Sequence, residues 1–225
     1  MSDETAESNP VILCLDTAYG GLSVGLLAAD GQAYASFEDT QYDQASHIVT
    51  AIDELLSTAS INKADLDAIL VTIGPGSFTG VRLALSVAKA LALALNIRVL
   101  PVSCFDVLAW QALKEKQLSG SFGTIIKNKP ESYYVQFFDE NAEPVTAPVC
   151  CSQNDLKNQC NIMNIKDLIG RGDIADVAIQ YLDGAAMAQY AKKIFTYEKM
   201  RYDAIPLYLR EADISFSKKK QRKLL

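Results

Sequence analysis

Histidine is nearly missing: the 225 residues hold one, His47, beside a single tryptophan. A zinc or iron centre wants at least two imidazoles or a comparable cluster, so a metallopeptidase reading fails on that count. His47 falls in the first turn of a helical stretch, where a surface or capping role is expected. The five cysteines, Cys14, Cys104, Cys150, Cys151 and Cys160, are odd in number and contain no Cys-x-x-Cys pair, which argues against a structural zinc site. A secretory signal is also missing. The first nine residues, MSDETAESN, carry three acids and no apolar core, so a polar tail, a cytoplasmic chain and reduced, core-filling thiols are expected. No run reaches the ~18 uninterrupted apolar residues of a membrane span, because Ser86 and Lys89 interrupt the longest one.

Two nucleotide motifs are missing as well. A P-loop needs G-x-x-x-x-G-K followed by Ser or Thr, and here Gly80 is followed by Val81; the glycines at 74, 76 and 80 do not make G-x-G-x-x-G either. The formal net charge of −6 excludes a protein that coats nucleic acid by charge alone, and no stacking platform for single strands is evident. The exception is the stretch SKKKQRKLL, with five basic residues between Lys218 and Lys223. It reads as a solvated tail or as a non-specific RNA contact.

What is present is a globular α/β pattern, with 49% apolar and 21% charged residues. VILCLDT (11–17) and 66–73 read as buried strands. The segments 21–29 and 32–38 flank Asp30-Gly31, which predicts a type I′ hairpin turn. Ser46 caps an amphipathic helix over 46–60, and Val99–Val102 is a short strand. Ser103 with Asp106 makes a capping box for a helix to about Lys116. Farther on, 124–126, 133–138 and 145–150 read as strands, 184 to about 199 as a helix, and PLYLR (206–210) as extended. The economical organisation is a polar tail over 1–10, an N-terminal lobe over 11–103, a smaller C-terminal lobe over 104–216 and a basic tail over 217–225.

The stretch GPGSFTGVR (74–82) joins a strand to an Ala/Leu-rich helix over 80–95. Pro75 fixes one φ, the glycines permit close backbone approach, and Ser77 or Thr79 caps the helix. Two readings stay open: a loop that only packs the helix onto the sheet, or a helix N-terminus that holds a phosphate. In the second, Asp16, Thr17, Gly76, Ser77 and Thr79 are the candidate nucleotide residues, with Asp173 and Arg171 downstream. At ~100° per residue, Arg82, Ser86, Lys89 and Asn96 make a narrow polar stripe and the remaining circumference is apolar. Such a helix is buried on more than one side, by this chain or by a partner. Val81, Leu83, Ala84, Val87, Ala88, Leu91 and Ala94, together with Ile52 and Leu56 of the 46–60 helix, form the candidate interface.

In this order, VILCLDTAYGGLSVGLL, SHIVTAIDELL, GPGSFTGVR and PVSCFDVLA resemble the TsaB (YeaZ) family. The resemblance is strong over residues 11–110 and rests downstream on Gly170-Arg171-Gly172 and PLYLR. It implies an actin-like/sugar-kinase-like fold of two RNase-H-like lobes. It also implies a non-catalytic, cytoplasmic subunit in making threonylcarbamoyladenosine in tRNA. Such a subunit pairs with the catalytic homologue TsaD through the two helices, and the ATPase TsaE joins the assembly. No cofactor belongs to this chain; ATP and a metal ion serve the partners. A homodimer is an expectation for the chain alone, and tRNA is reached only through the complex. The family's Asp-Ala-Arg run is replaced by Lys127-Asn128-Lys129, and its glycine-rich helix by Ala84, Ser86 and Ala90. The alternative is an actin-like kinase or ATPase acting on its own.

Overall fold

The computed structural model describes residues 8–40, 43–115, 118, 120–195 and 204–209. The acidic start, the basic stretch 217–225 and the expected helix ends at Lys116 and Lys199 lie outside them.

The chain opens with β1 (Ile12–Asp16), β2 (Leu22–Leu27) and β3 (Ala33–Glu38). Then come α1 (Gln44–Thr58), β4 (Ala68–Thr72), α2 (Phe78–Leu95), β5 (Arg98–Val102) and α3 (Cys104–Glu115). β1, β2 and β4 are buried throughout, as their largely apolar sequences suit strands covered on both faces. The first sheet has the order β3-β2-β1-β4-β5, antiparallel through β1–β3 and parallel through β1, β4 and β5.

The second half repeats that scheme. β6 (Phe122–Lys129), β7 (Ser132–Phe138) and β8 (Val149–Ser152) run antiparallel, α4 (Gln153–Met163) crosses over, and β9 (Leu168–Arg171) and β10 (Val177–Ala178) pair parallel. The order β10-β9-β6-β7-β8 becomes that of the first sheet when β6 stands for β1. Two RNase-H-like units in succession make the actin-like/sugar-kinase-like fold.

Each unit ends in a helix that leaves its own sheet. α3 follows β5 yet packs on β6, β7 and β9, whereas α5 (Gly184–Phe195) follows β10 and packs on β1, β2 and β3. α3 and α5 also pack on each other. The return of α5 depends on two glycines meeting: a Cβ on Gly25 would lie 2.1 Å from the Gly184 carbonyl oxygen, and one on Gly184 would lie 2.3 Å from that of Val24. Backbone touches backbone there.

Topology places the other helices. α1 joins β3 to β4 and α2 joins β4 to β5, so both crossovers move in the same direction across the sheet. The right-handed rule then sets them on one face. α1 and α5 both pack on β2 and β3, which requires opposite faces. By length and composition α2 could cross a bilayer, which an uninterrupted-run count does not reveal, yet here it packs on β1, β4 and β5.

Three local expectations change. Only Gly31 of the β2–β3 loop takes positive φ, at 86°, and its N–H bonds the Ala28 carbonyl; this is a type I turn closed by a G1 bulge, not type I′. The N-cap of α1 is Asp43, with Ser46 inside the first turn donating to the Asp43 carboxylate. The third strand of the second hairpin spans 149–152 in place of 145–150. The Ser103–Asp106 capping box forms reciprocally, and Asn96 ends α2 in the left-handed region at φ 56°.

Replacing Gly25 with alanine is expected to destabilise the fold by more than about 2 kcal/mol. The measure is the urea midpoint followed by circular dichroism.

Candidate functional site

A cleft of ≈ 430 Å³ opens between the two sheets. On one side lie Thr17 to Gly21 from the β1–β2 loop, Gln44 at the start of α1, and Gly76 and Ser77 before α2; on the other lie Ile126, Lys127, Arg171 and Gly172. No acid is among these residues. The floor is fixed where the β1–β2 loop meets the segment after β10. The Tyr19 hydroxyl donates to the Ile179 carbonyl at 2.7 Å, and Phe37 stacks on Tyr181 with centroids 4.0 Å apart.

The GPGSFTGVR loop is clamped to the β1–β2 loop. A Cβ on Gly80 would lie 1.8 Å from the Thr17 carbonyl oxygen, and one on Gly76 2.3 Å from that of Ala18. The Thr17 hydroxyl donates to the Gly80 carbonyl at 2.6 Å, and the Ser77 N–H donates to the Ala18 carbonyl at 2.9 Å. Ser77 is the α2 cap, its hydroxyl accepting from the Gly80 N–H. The spaced glycines therefore answer a packing demand. They let the turn before α2 lie flat on the end of β1.

Asp16 does not line the cleft. It is fully buried, accepts the Ala18 and Tyr19 N–H groups at 3.1 Å each, and takes the Thr72 hydroxyl from β4. Burial pushes its carboxyl up to about 6, against the opposing pull of those three donors. The side chain ties the ends of β1 and β4 together. Thr17, Gly76 and Ser77 do line the cleft; Thr79 is exposed and outside it. Asp173 is engaged by the Tyr133 hydroxyl at 2.6 Å and by Lys127 at 3.1 Å, which hold its carboxyl below the usual range. Sequence reading omitted Tyr19, Gly20, Gly21, Gln44 and Ile126 from the site. The Gly20-Gly21 pair directly after a strand-end Asp-Thr was the available signal.

His47 is half-exposed, 2.8 Å from Glu38 and 3.5 Å from Asp43. Among the described residues no three His, Cys, Asp or Glu side chains gather to hold a metal ion.

The expected two-helix interface needs correction. Ile52 and Leu56 are buried where α1 packs on β2 and β3, and Val81, Ala84 and Ala88 are buried because the sheet takes the arc of α2 that carries them. Leu83, Val87 and Leu91 stay half-buried and Ala94 is exposed. Leu93, which the pattern analysis left out, is 85% exposed.

Comparison with known proteins bears on this arrangement. The model of the family described as TsaD, tRNA N6-adenosine threonylcarbamoyltransferase, matches residues 38–135. The tRNA threonylcarbamoyladenosine biosynthesis protein TsaB of Haemophilus influenzae is 28% identical over 90% of this chain and 94% of its own. That of Bacillus subtilis is 34% identical over 44% of this chain and 43% of its own. Over most of its length the chain is similar to the Haemophilus influenzae TsaB protein. The solved structure of YeaZ from Pseudomonas aeruginosa superposes with a TM-score of 0.73 at 23% identity, covering 89% of this chain and all of that one, and shows the same fold. The match to the transferase family begins at the end of β3 and runs into β7, so it spans α1, the glycine clamp and α2.

Asp16 yields a pH prediction. Its pKa in the folded chain is raised by burial above the usual carboxylate range to about 6, so its stabilising effect is full below about pH 4 and is lost as pH rises through about 6. Asp16→Asn should remove that segment. Relative to the variant, the wild type should lose about 2 kcal/mol of stability from pH 4 to 6.5, measured by urea titration at both pH values.

Proposed function

We propose that this chain is a non-catalytic, cytoplasmic partner subunit in tRNA threonylcarbamoyladenosine biosynthesis. The supporting observation is the outward strip of α2, Leu83, Val87, Leu91 and Ala94, which the chain's own core leaves partly uncovered. With α1 on the same face of the sheet and its Val49 55% exposed, the strip gives a two-helix apolar surface of the kind that specific pairing uses. The occupant is the catalytic homologue of the same fold, TsaD, with the ATPase TsaE joining the assembly; a second copy of this chain covers the surface when it is alone. ATP and the metal ion serve the partner subunits, and tRNA is bound by the assembly.

The cleft supports the non-catalytic half of this reading. Among the described residues its lining carries Lys127 and Arg171 but no carboxylate, and Asp16 directs its oxygens to Thr72 and two backbone N–H groups. A kinase needs an acid free to hold a metal-bound phosphate. By mechanism, pairing orders the catalytic subunit in the lobe arrangement that best fits this surface.

The test is tRNA threonylcarbamoylation by the catalytic homologue and the ATPase subunit, with and without this chain. Activity should depend on it, and Val87→Glu or the more exposed Ala94→Glu should lower activity at least about tenfold with an unchanged melting curve. Full activity in its absence would end the proposal.

A further inference from the structure

Arg82 and Tyr208 are 126 positions apart, yet the Arg82 Nε donates to the Tyr208 hydroxyl at 3.4 Å. The same guanidinium lies 3.7 Å over the ring of Phe78. Phe78 and Tyr208 have centroids 5.6 Å apart with planes inclined at 33°, and they are 45% and 53% exposed. Both rings are anchored: Phe78 is the first residue of α2, and the Leu207 N–H donates to the Ile73 carbonyl at 2.8 Å, fastening 204–209 to the end of β4. The result is a flat, fixed and solvent-facing surface of two aromatic rings and a guanidinium.

Charge adds a second observation. In a chain with 27 acidic residues, the segment from Ala68 to Ile97 holds none, and neither does Ala204 to Leu209. The cations of that first segment, Arg82 and Lys89, are both exposed and share with Phe78 and Ser86 a strip of α2 spanning ~80° of its circumference. The strip assigned above to pairing, Leu83, Val87, Leu91 and Ala94, occupies a separate arc.

We infer that the Phe78–Arg82–Tyr208 platform stacks an unpaired base of single-stranded RNA, with Arg82 and Lys89 beside the phosphates. Aromatic faces bind bases without regard to sequence, and a guanidinium in the stack adds attraction to the anion. Unpaired bases are favoured because those in a duplex already have both faces covered. Among the described residues, the two segments that carry the platform hold no carboxylate to oppose these cations. The contact does not depend on the subunit pairing proposed above.

The same three residue types anchor protein interfaces, and one experiment separates the cases. The full chain is titrated at about 50 mM salt, where phosphate contacts are least screened, with a fluorescein-labelled dodecamer of uridylate containing 5-iodouridine. It is then irradiated and the adducts are mapped by mass spectrometry. The expected result is an adduct on Phe78 or Tyr208 and binding at least about tenfold weaker in the Phe78→Ala/Tyr208→Ala double variant. If that variant melts early, Phe78→Leu/Tyr208→Leu keeps the apolar volume, removes the rings and should lose the same affinity. No binding by the wild type, equal binding by the variants, or adducts confined to 217–225 would overturn the inference. Loss of subunit pairing with RNA binding intact would overturn it too, assigning the platform to a protein contact.

Discussion

Where main chain lies directly on main chain, only a residue without a Cβ fits, and this architecture hangs from such contacts. Gly25 and Gly184 meet where α5 returns to the first sheet, and Gly76 and Gly80 meet the Thr17–Ala18 turn where α2 begins. The second contact is also hydrogen-bonded, the Thr17 hydroxyl donating to the Gly80 carbonyl and the Ser77 N–H to the Ala18 carbonyl. Asp16 completes the arrangement by satisfying the two N–H groups that the turn leaves pointing inward. The position of α2, and hence of everything on its outer surface, follows from those few atoms.

Function then divides over the circumference of one helix. The arc with Ala84 and Ala88 is spent on the sheet. The arc with Leu83, Val87 and Leu91 is half-covered, and the arc with Phe78, Arg82 and Lys89 faces solvent. An Ala/Leu-rich helix suits this use, because small residues let the sheet approach closely while leucines two arcs away remain available.

Much of this was legible in the sequence. The 3.6-residue period disclosed α1 and α2, and the Ser-x-x-Asp spacing disclosed the start of α3. The apolar run Val11 to Thr17 disclosed β1. α4 was missed because its eleven residues bury only Leu156, leaving no period to detect. β9 and β10 are too short, at four and two residues. Helix periodicity showed that α2 is apolar on most sides but not which side the sheet would take, so Val81, Ala84 and Ala88 proved to be core, as did Ile52 and Leu56 on the sheet-facing side of α1. Asp16 was found, yet its use was not, since its hydroxyl donor comes from 56 residues away. The platform was invisible for the same reason: Phe78 and Tyr208 meet only after the chain has folded.

The exchange of α3 and α5 between the two sheets has a consequence for the chain during synthesis. β2 leaves the ribosome early, but the helix covering its second face begins at Gly184, and the Tyr19 hydroxyl finds its acceptor 160 residues downstream. At ~5–20 residues per second, the first sheet waits on the order of ten seconds or more with one apolar face uncovered. The first sheet therefore keeps one apolar face open until residues 184–195 have been made, and only then can α5 close over it.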